Sequence, residues 1–528
     1  MRYRKKNTLH INFSAACYRT VAEENFQGIR ALVVKGVADY ADKDKDDSYH
    51  PYAAKSSAAF VVSVISEIIL PALKPHTDRT RATIIQSEKD LIDRRRAEAV
   101  ASRLAEIWGG SERDLLNKIN SSVRSQARAA AGRKGKPQTR YSEIELVNKY
   151  YSPESLAKAN LKHYSFSVDG TSVQTTSVSR PGWLGLAYEL DSPQEQCKLI
   201  DAKPLKPRWS GTHLDHSARN KPQEGLVRVL AECAASIIMS GGLIWNDPIY
   251  RVNEIELGEK AMKVLFALDQ FENYRYSIGL LNEELPRLSA DTNFEIDELV
   301  DRRNDIQPLR SFFLPDGPSL VDFKSRITAS GVQVLFAMAT NDGGYEIPYQ
   351  IRSRKVTEGA TMFGTIPMAF HHPLKDPEKE VNLSFSIYRE LYEELFGGRE
   401  VTRGSESWNP PDWFFSESEP VRWLKENKAA RTLECTCITV NLFSGNCDFQ
   451  ALVAVHDKTF FERFGRSLHK TWETKSFHQV STLNRQSLKE LMVQPNWASQ
   501  SLAALVEGLL RLKALEPSRV EIPDLERM

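Results

Sequence analysis

From residue 322 the chain lays down apolar runs of strand length, "GVQVLFAMA", "YEIPYQIRS", "CTCITVNLF" and "FQALVAVHD", with turn sequences such as "NDGG" and "SGN" between them. A glutamate-rich segment, "YRELYEELFGG", falls between the second and third runs, and an apolar "ASQSLAALVEGLLRLKAL" follows the last. Strands interrupted by helices in this order predict an α/β half with a C-terminal helix.

A chain of 528 residues is too long for one core and predicts two to four domains. Its net charge of +1 gives no global field for nucleic acid or an anionic membrane. Six scattered cysteines suit reduced thiols in a cytosolic compartment better than a disulfide framework. Cys435, Cys437 and Cys447 fall short of a four-ligand zinc site. The alternation of "TLECTCITVNLF" predicts strand thiols acting as small hydrophobes. The basic N-terminus has no apolar run of signal-peptide length. The most apolar stretch, "AAFVVSVISEIILPALK", is interrupted by Glu67 and Pro71 and predicts a buried helix rather than a membrane span.

Four segments follow from pattern and composition. Residues 1–73 carry a continuous apolar strand, "IRALVVKGVADYAD", of the kind buried on both faces of a parallel sheet, and then a small-residue helix. Residues 74–140 are rich in Lys and Arg and predict a basic helical linker with a solvated face, the one place where nucleic acid would bind. Residues 141–321 predict a mixed α+β region with helices at "GLVRVLAECAASIIM" and "EKAMKVLFALDQFENYRYSIGLLNEEL". Phe271, Tyr274 and Tyr276 are read there as core. Residues 322–528 are the strand-rich half.

At 100° per residue, Glu390, Glu393 and Glu394 fall within about 100° on one helix face, while Ile387, Leu391 and Leu395 form an apolar stripe. Like charges this close repel by a few tenths of a kcal/mol per pair, and a hard divalent cation removes that cost. The alternative is a surface helix whose glutamates pair with Arg389, Arg399 or Arg403. His371 and His372, in "FHHPL", are read as surface residues.

The stretch "GTIPMAFHHPLKDPEKEVNLSFSIYRELYEELFGG" resembles a Nudix hydrolase box, with Arg389, Glu390, Leu391, Glu393 and Glu394 matching its core. The final glycine, Gly397, comes one residue late; Val381 stands at the upstream glutamate position beside Glu380, and Ala369 replaces a turn glycine. The resemblance implies an α/β/α sandwich with a mixed sheet over about 330–500. It also implies magnesium held by Glu390, Glu393 and Glu394, with help from Glu380, and catalysis through Glu393 and Glu394. The substrate class implied is a nucleotide or nucleoside diphosphate derivative, and no membrane is involved.

A second stretch, "LVVKGVADYADKDKDDSYHPYAAKSSAAF", is similar to the C-terminal end of the purine and uridine phosphorylase superfamily. That resemblance implies Asp39 as the general acid toward a purine ring nitrogen. The family's upstream phosphate loop has no counterpart here, Lys35 stands where arginine is usual, and Glu23 or Glu24 only weakly match the ribose-binding glutamate. The segment is expected to be a β-α remnant. Two functions follow: a magnesium-dependent Nudix-type hydrolase, or a non-catalytic nucleotide sensor or interaction protein.

Overall fold

The computed structural model describes residues 2–4, 8–10, 17–26, 29–36, 94–132, 141–201, 224–240, 246–289, 294–353, 356, 359–398, 410–466, 468–469, 471 and 473–528. The chain divides into two compact units, Met1–Ile92 and Asp93–Met528.

In the first unit, Cys17–Phe26 pairs antiparallel with Ile29–Gly36. The apolar run expected as a parallel strand is therefore one arm of an antiparallel pair. Two intervening residues can join only antiparallel strands, since a parallel crossover needs a dozen or more. Asp39 and the small-residue helix expected after it lie outside the described residues.

The second unit is built on a mixed sheet. Its strands are β1 (Lys162–Val168), β2 (Thr171–Ser179), β3 (Leu184–Glu189), β7 (Ser330–Ala339), β8 (Tyr345–Arg352), β9 (Phe363–Thr365), β10 (Met368–Phe370), β11 (Arg431–Asn441), β12 (Cys447–Val455), β13 (Thr474–Ser481) and β14 (Leu525–Arg527). Between β3 and β7 in the chain come β4 (Glu195–Leu199), β5 (Pro248–Leu257) and β6 (Met262–Gln270), which form a smaller sheet in the order β4-β6-β5. In the large sheet β7 runs parallel to β12 and antiparallel to β8 and β10. Strand alternation then separates two cores. Val332, Val334, Phe336 and Met338 face one, which holds Ile387, Leu391 and Leu395 of the glutamate helix. Leu335, Ala337 and Ala339 face the other, against Leu502, Leu505, Val506 and Leu509 of the helix Ser499–Leu515. The sheet is thus covered by helices on both faces.

The expected boundary at 321/322 does not divide this sheet. Strands β2 and β3 hydrogen-bond to β11, which comes from the other side of it. Two buried arginines reinforce the join at the β11–β12 turn. Arg310 donates from Nη1 to Leu442 O and to Tyr151 Oη (3.2 Å), and from Nη2 to Phe443 O (2.8 Å). Arg326 donates across the join to Ser319 O and Leu320 O and, on its own side, to Asp322 O and to Gly445 O at 3.0 Å. Gly445 has φ +71°, and a Cβ there would lie 2.9 Å from Leu314 Cδ1, so the turn needs glycine on both counts.

Two sequence readings change here. "MKVLFALDQ", expected as helix, is the strand β6, paired with both β4 and β5. Leu, Ala, Met and Lys favour helix in isolation, but pairing on both edges of the strand outweighs propensity. The basic segment expected as a solvated linker has a buried face. Helix 94–108 buries Ala97, Val100, Ala101, Leu104, Ile107 and Trp108, and Trp108 Nε1 donates to Tyr276 O at 2.7 Å. The next helix, Glu112–Gly132, packs on Glu224–Ser240 through Gln126, whose Nε2 donates to Glu232 O. Phe271, Tyr274 and Tyr276 are buried, as the sequence predicts. Among the described residues no helix is long and apolar enough to cross a membrane.

Candidate functional site

The glutamate helix begins at Leu383–Glu390 and continues over Leu391–Leu395 as a wider, π-type turn. Asn382 at its N-cap makes no side-chain cap. Glu195 of β4 serves instead, accepting from Ser384 N (2.9 Å) and Ser384 Oγ (2.6 Å). A carboxylate at a helix N-terminus satisfies otherwise orphaned donors and favours the dipole. Burial pushes the Glu195 carboxyl above the usual range, and the bonds from Ser384 and Asp191 pull it back.

The four carboxylates expected to share a metal ion are distributed among protein partners. Glu380 is buried and accepts from the backbone N–H groups of Leu374 (2.7 Å), Lys375 (2.8 Å) and Asp376 (2.6 Å). It organises the loop before the helix. Glu390 lies 2.9 Å from Arg389 Nη2, and Glu393 lies 3.9 Å from Arg389 Nε. Arg389 is buried and also donates from Nη1 to His372 O at 2.8 Å. The arginine expected to pair at the surface is therefore an internal strut. Glu394 turns into the sheet, accepting from Met368 N (3.1 Å) and from Gln350 Nε2 (3.3 Å).

The surroundings of Glu394 include residues that the motif reading missed. Thr474 Oγ1 donates to Gln350 Oε1 at 2.7 Å, and Arg352 Nη2 lies 3.3 Å from Glu473 Oε2. Burial raises the Glu394 carboxyl well above the ordinary carboxylate range, and the like charges of Glu473 and Glu390 add to it, against Arg352 and the Met368 amide. Gln350 and Arg352 were legible as the polar alternates of a strand whose other positions include Ile347 and Ile351. Glu473 gave no such signal, because it joins the site from the loop before β13.

His371 is not a surface residue, and His372 is only partly exposed. His371 is fully buried, with Nδ1 2.7 Å from Ser386 Oγ and Nε2 3.0 Å from Val381 O, against the ring of Tyr250 at 4.3 Å. Burial pushes both imidazoles down to about 3. They are neutral at physiological pH and fasten β10 to the glutamate helix. Unfolded histidine binds a proton below about 6.5 while the folded site does not, so their stabilisation is complete above that pH and is lost as pH falls toward 3. We expect His371→Gln to flatten the decline in denaturant midpoint between pH 7.5 and 5. Each neutral buried histidine contributes up to roughly 1.4 kcal/mol per pH unit there. An unchanged slope in the variant would refute the assignment.

Cys435, Cys437 and Cys447 are buried and unbridged. Burial pushes the Cys435 thiol up to about 12, so these thiols behave as small hydrophobes, as their strand alternation predicts.

Magnesium requires near-octahedral oxygen ligands at about 2.0–2.1 Å. The residues present do not fit that requirement as placed. Glu380 accepts three backbone amides, Glu390 and Glu393 are on the Arg389 side, and Glu394 faces the sheet. Among the described residues, no group of three or more His, Cys, Asp or Glu side chains is arranged to hold a metal ion. Beyond the helix end, Tyr392, Phe396, Gly397 and Gly398 face Glu417–Pro420 across a cavity of about 340 Å³. Comparison with family models finds no match, and comparison with curated proteins finds none.

Proposed function

We propose that this chain is a non-catalytic nucleotide sensor or interaction protein whose 322–528 half is a Nudix-like α/β/α sandwich. The nucleotide assignment rests on the two sequence resemblances. The observation that carries the non-catalytic part is the allocation of the carboxylates: Glu380 and Glu394 accept from backbone amides, while Glu390 and Glu393 pair with Arg389. The helix is then a structural element, with Arg389 at its centre. Asp39 takes no part in this proposal.

A second reading, magnesium-dependent hydrolysis of a nucleoside diphosphate-linked compound, is favoured by one feature. Glu394 is close enough to Glu390 and Glu473 for their charges to raise it, and a cation would relieve that repulsion. One experiment separates the two. The whole protein is incubated with magnesium and a panel of nucleoside diphosphate derivatives, with phosphate and monophosphate release followed and binding measured by calorimetry. Saturable binding without release supports the sensor. Release that disappears in Glu393→Gln and Glu394→Gln supports the hydrolase and refutes the sensor. Absence of both binding and release refutes the nucleotide assignment itself.

A further inference from the structure

The helix Glu112–Gly132 divides its surface in two. Leu115 and Ile119 are buried, and Gln126 on the same side donates to Glu232 O of the helix Glu224–Ser240. On the opposite side Arg113, Asn117, Ser121, Arg124 and Arg128 are all exposed. At about 100° and 1.5 Å per residue, these five fall within an arc of about 80° and run for about 22 Å along the axis. The three arginines of this stripe make no ion pair with any described residue. By contrast, Arg94 and Arg103 of the preceding helix and Arg228 of the helix it packs on each pair with a glutamate. From Leu115 to Gly132 the helix has no Asp or Glu, and its carboxylates, Glu112 and Asp114, are confined to the first turn. Arg124 and Arg128, four residues apart, therefore repel each other with no neighbouring carboxylate to relieve them.

We propose that this stripe is a docking surface for the phosphate backbone of a nucleic-acid duplex, bound without regard to base sequence. The arginine fork matches phosphate geometry, and Asn117 and Ser121 between the arginines can donate to phosphate oxygens. The stripe spans about six nucleotide steps of one strand at roughly 3.4 Å each. It holds no aromatic side chain on which an unpaired base could stack, which favours a duplex over a single strand. It has no apolar side chain to enter a bilayer either, because Leu115 and Ile119 are turned into the protein. The attraction is local, since a net charge of +1 supplies no long-range field. The inference goes beyond the nucleotide reading of residues 322–528 and does not rest on it.

The test titrates the whole protein into a fluorescein-labelled DNA duplex of about 20 base pairs and follows anisotropy between about 50 and 200 mM NaCl. Three phosphate contacts contribute about −2.7 to the slope of log affinity against log salt, a weakening of roughly 40-fold over that range. Replacing Arg113, Arg124 and Arg128 together by Gln should remove that contribution and weaken binding at the low-salt end by more than about tenfold. A charge-matched control, Lys158→Gln, Lys162→Gln and Lys260→Gln, should stay within about twofold of the parent. All six positions are exposed, so both variants should fold, which circular dichroism checks. The proposal is overturned if the duplex does not bind at the low-salt end, or if the two triple variants weaken binding alike. It is also overturned if the arginine variant loses affinity for phosphatidylserine vesicles or polyglutamate while its duplex binding is unchanged.

Discussion

Arg389→Met lowers the unfolding free energy by about 3–5 kcal/mol, the cost of removing one partner from a buried ion pair. The guanidinium is 1% exposed as a side chain, and its partners Glu390 and Glu393 are 8% and 14% exposed. Methionine approximates its length but takes away the guanidinium that lies 2.9 Å from the buried Glu390 carboxylate, and removes the donor to His372 O. The check is a denaturant midpoint compared with that of the double variant Arg389→Met, Glu390→Gln. Replacing both members of a buried pair is often near neutral, so the double variant should recover a large part of the loss. A single variant within 1 kcal/mol of the parent would mean that the carboxylates can turn to water, which would undercut the structural reading of the helix.

Arg310→Met should cost a similar 3–5 kcal/mol, by a different route. This side chain is fully buried and donates to the carbonyls of Leu442 and Phe443 at the β11–β12 turn and to Tyr151 Oη. Its own backbone N–H and that of Leu309 donate to Glu284, each at 2.9 Å. Burial pushes the Glu284 carboxyl up, and the charges of Arg310 and Arg287 pull it back. Without Arg310 the carboxylate loses that counter-charge while the turn carbonyls lose their donor. Urea unfolding should show the loss, and Glu284→Gln in the Arg310→Met background should return part of it. If Glu284→Gln makes matters worse by its usual single-variant amount, the two residues are not coupled.

What the sequence disclosed and what it hid divide along physical lines. The strands β7, β8, β11 and β12 and the helix Ser499–Leu515 were legible, because each buries a long apolar surface that its own residues announce. β6 was misread because Met262, Leu265, Ala267 and Leu268 are good helix formers, and what holds them extended is two neighbours distant in sequence. The carboxylates of the helix were legible as a group, but their occupation was not. Glu380 accepts from backbone amides and Glu394 from Met368 N–H, and every residue but proline carries such a donor, so sequence cannot mark which ones will reach a carboxylate. His371 was taken for a loop residue because Ser386 and the Val381 carbonyl, which hold it inside, give no pattern of their own. The late glycine was visible; its conversion into a wide turn was not, since one extra residue can equally extend, kink or bulge a helix.

The pairing of β2 and β3 with β11 has a consequence for the ancestry of the chain. If the 322–528 half began as a free-standing module, it could not be returned to that state by cutting the gene between the halves. The severed piece would present the backbone of β11 as a raw hydrogen-bonding margin, inviting other chains to add to it. The 141–321 region is thus the hem of that fabric, closing an edge that the later half would otherwise leave open.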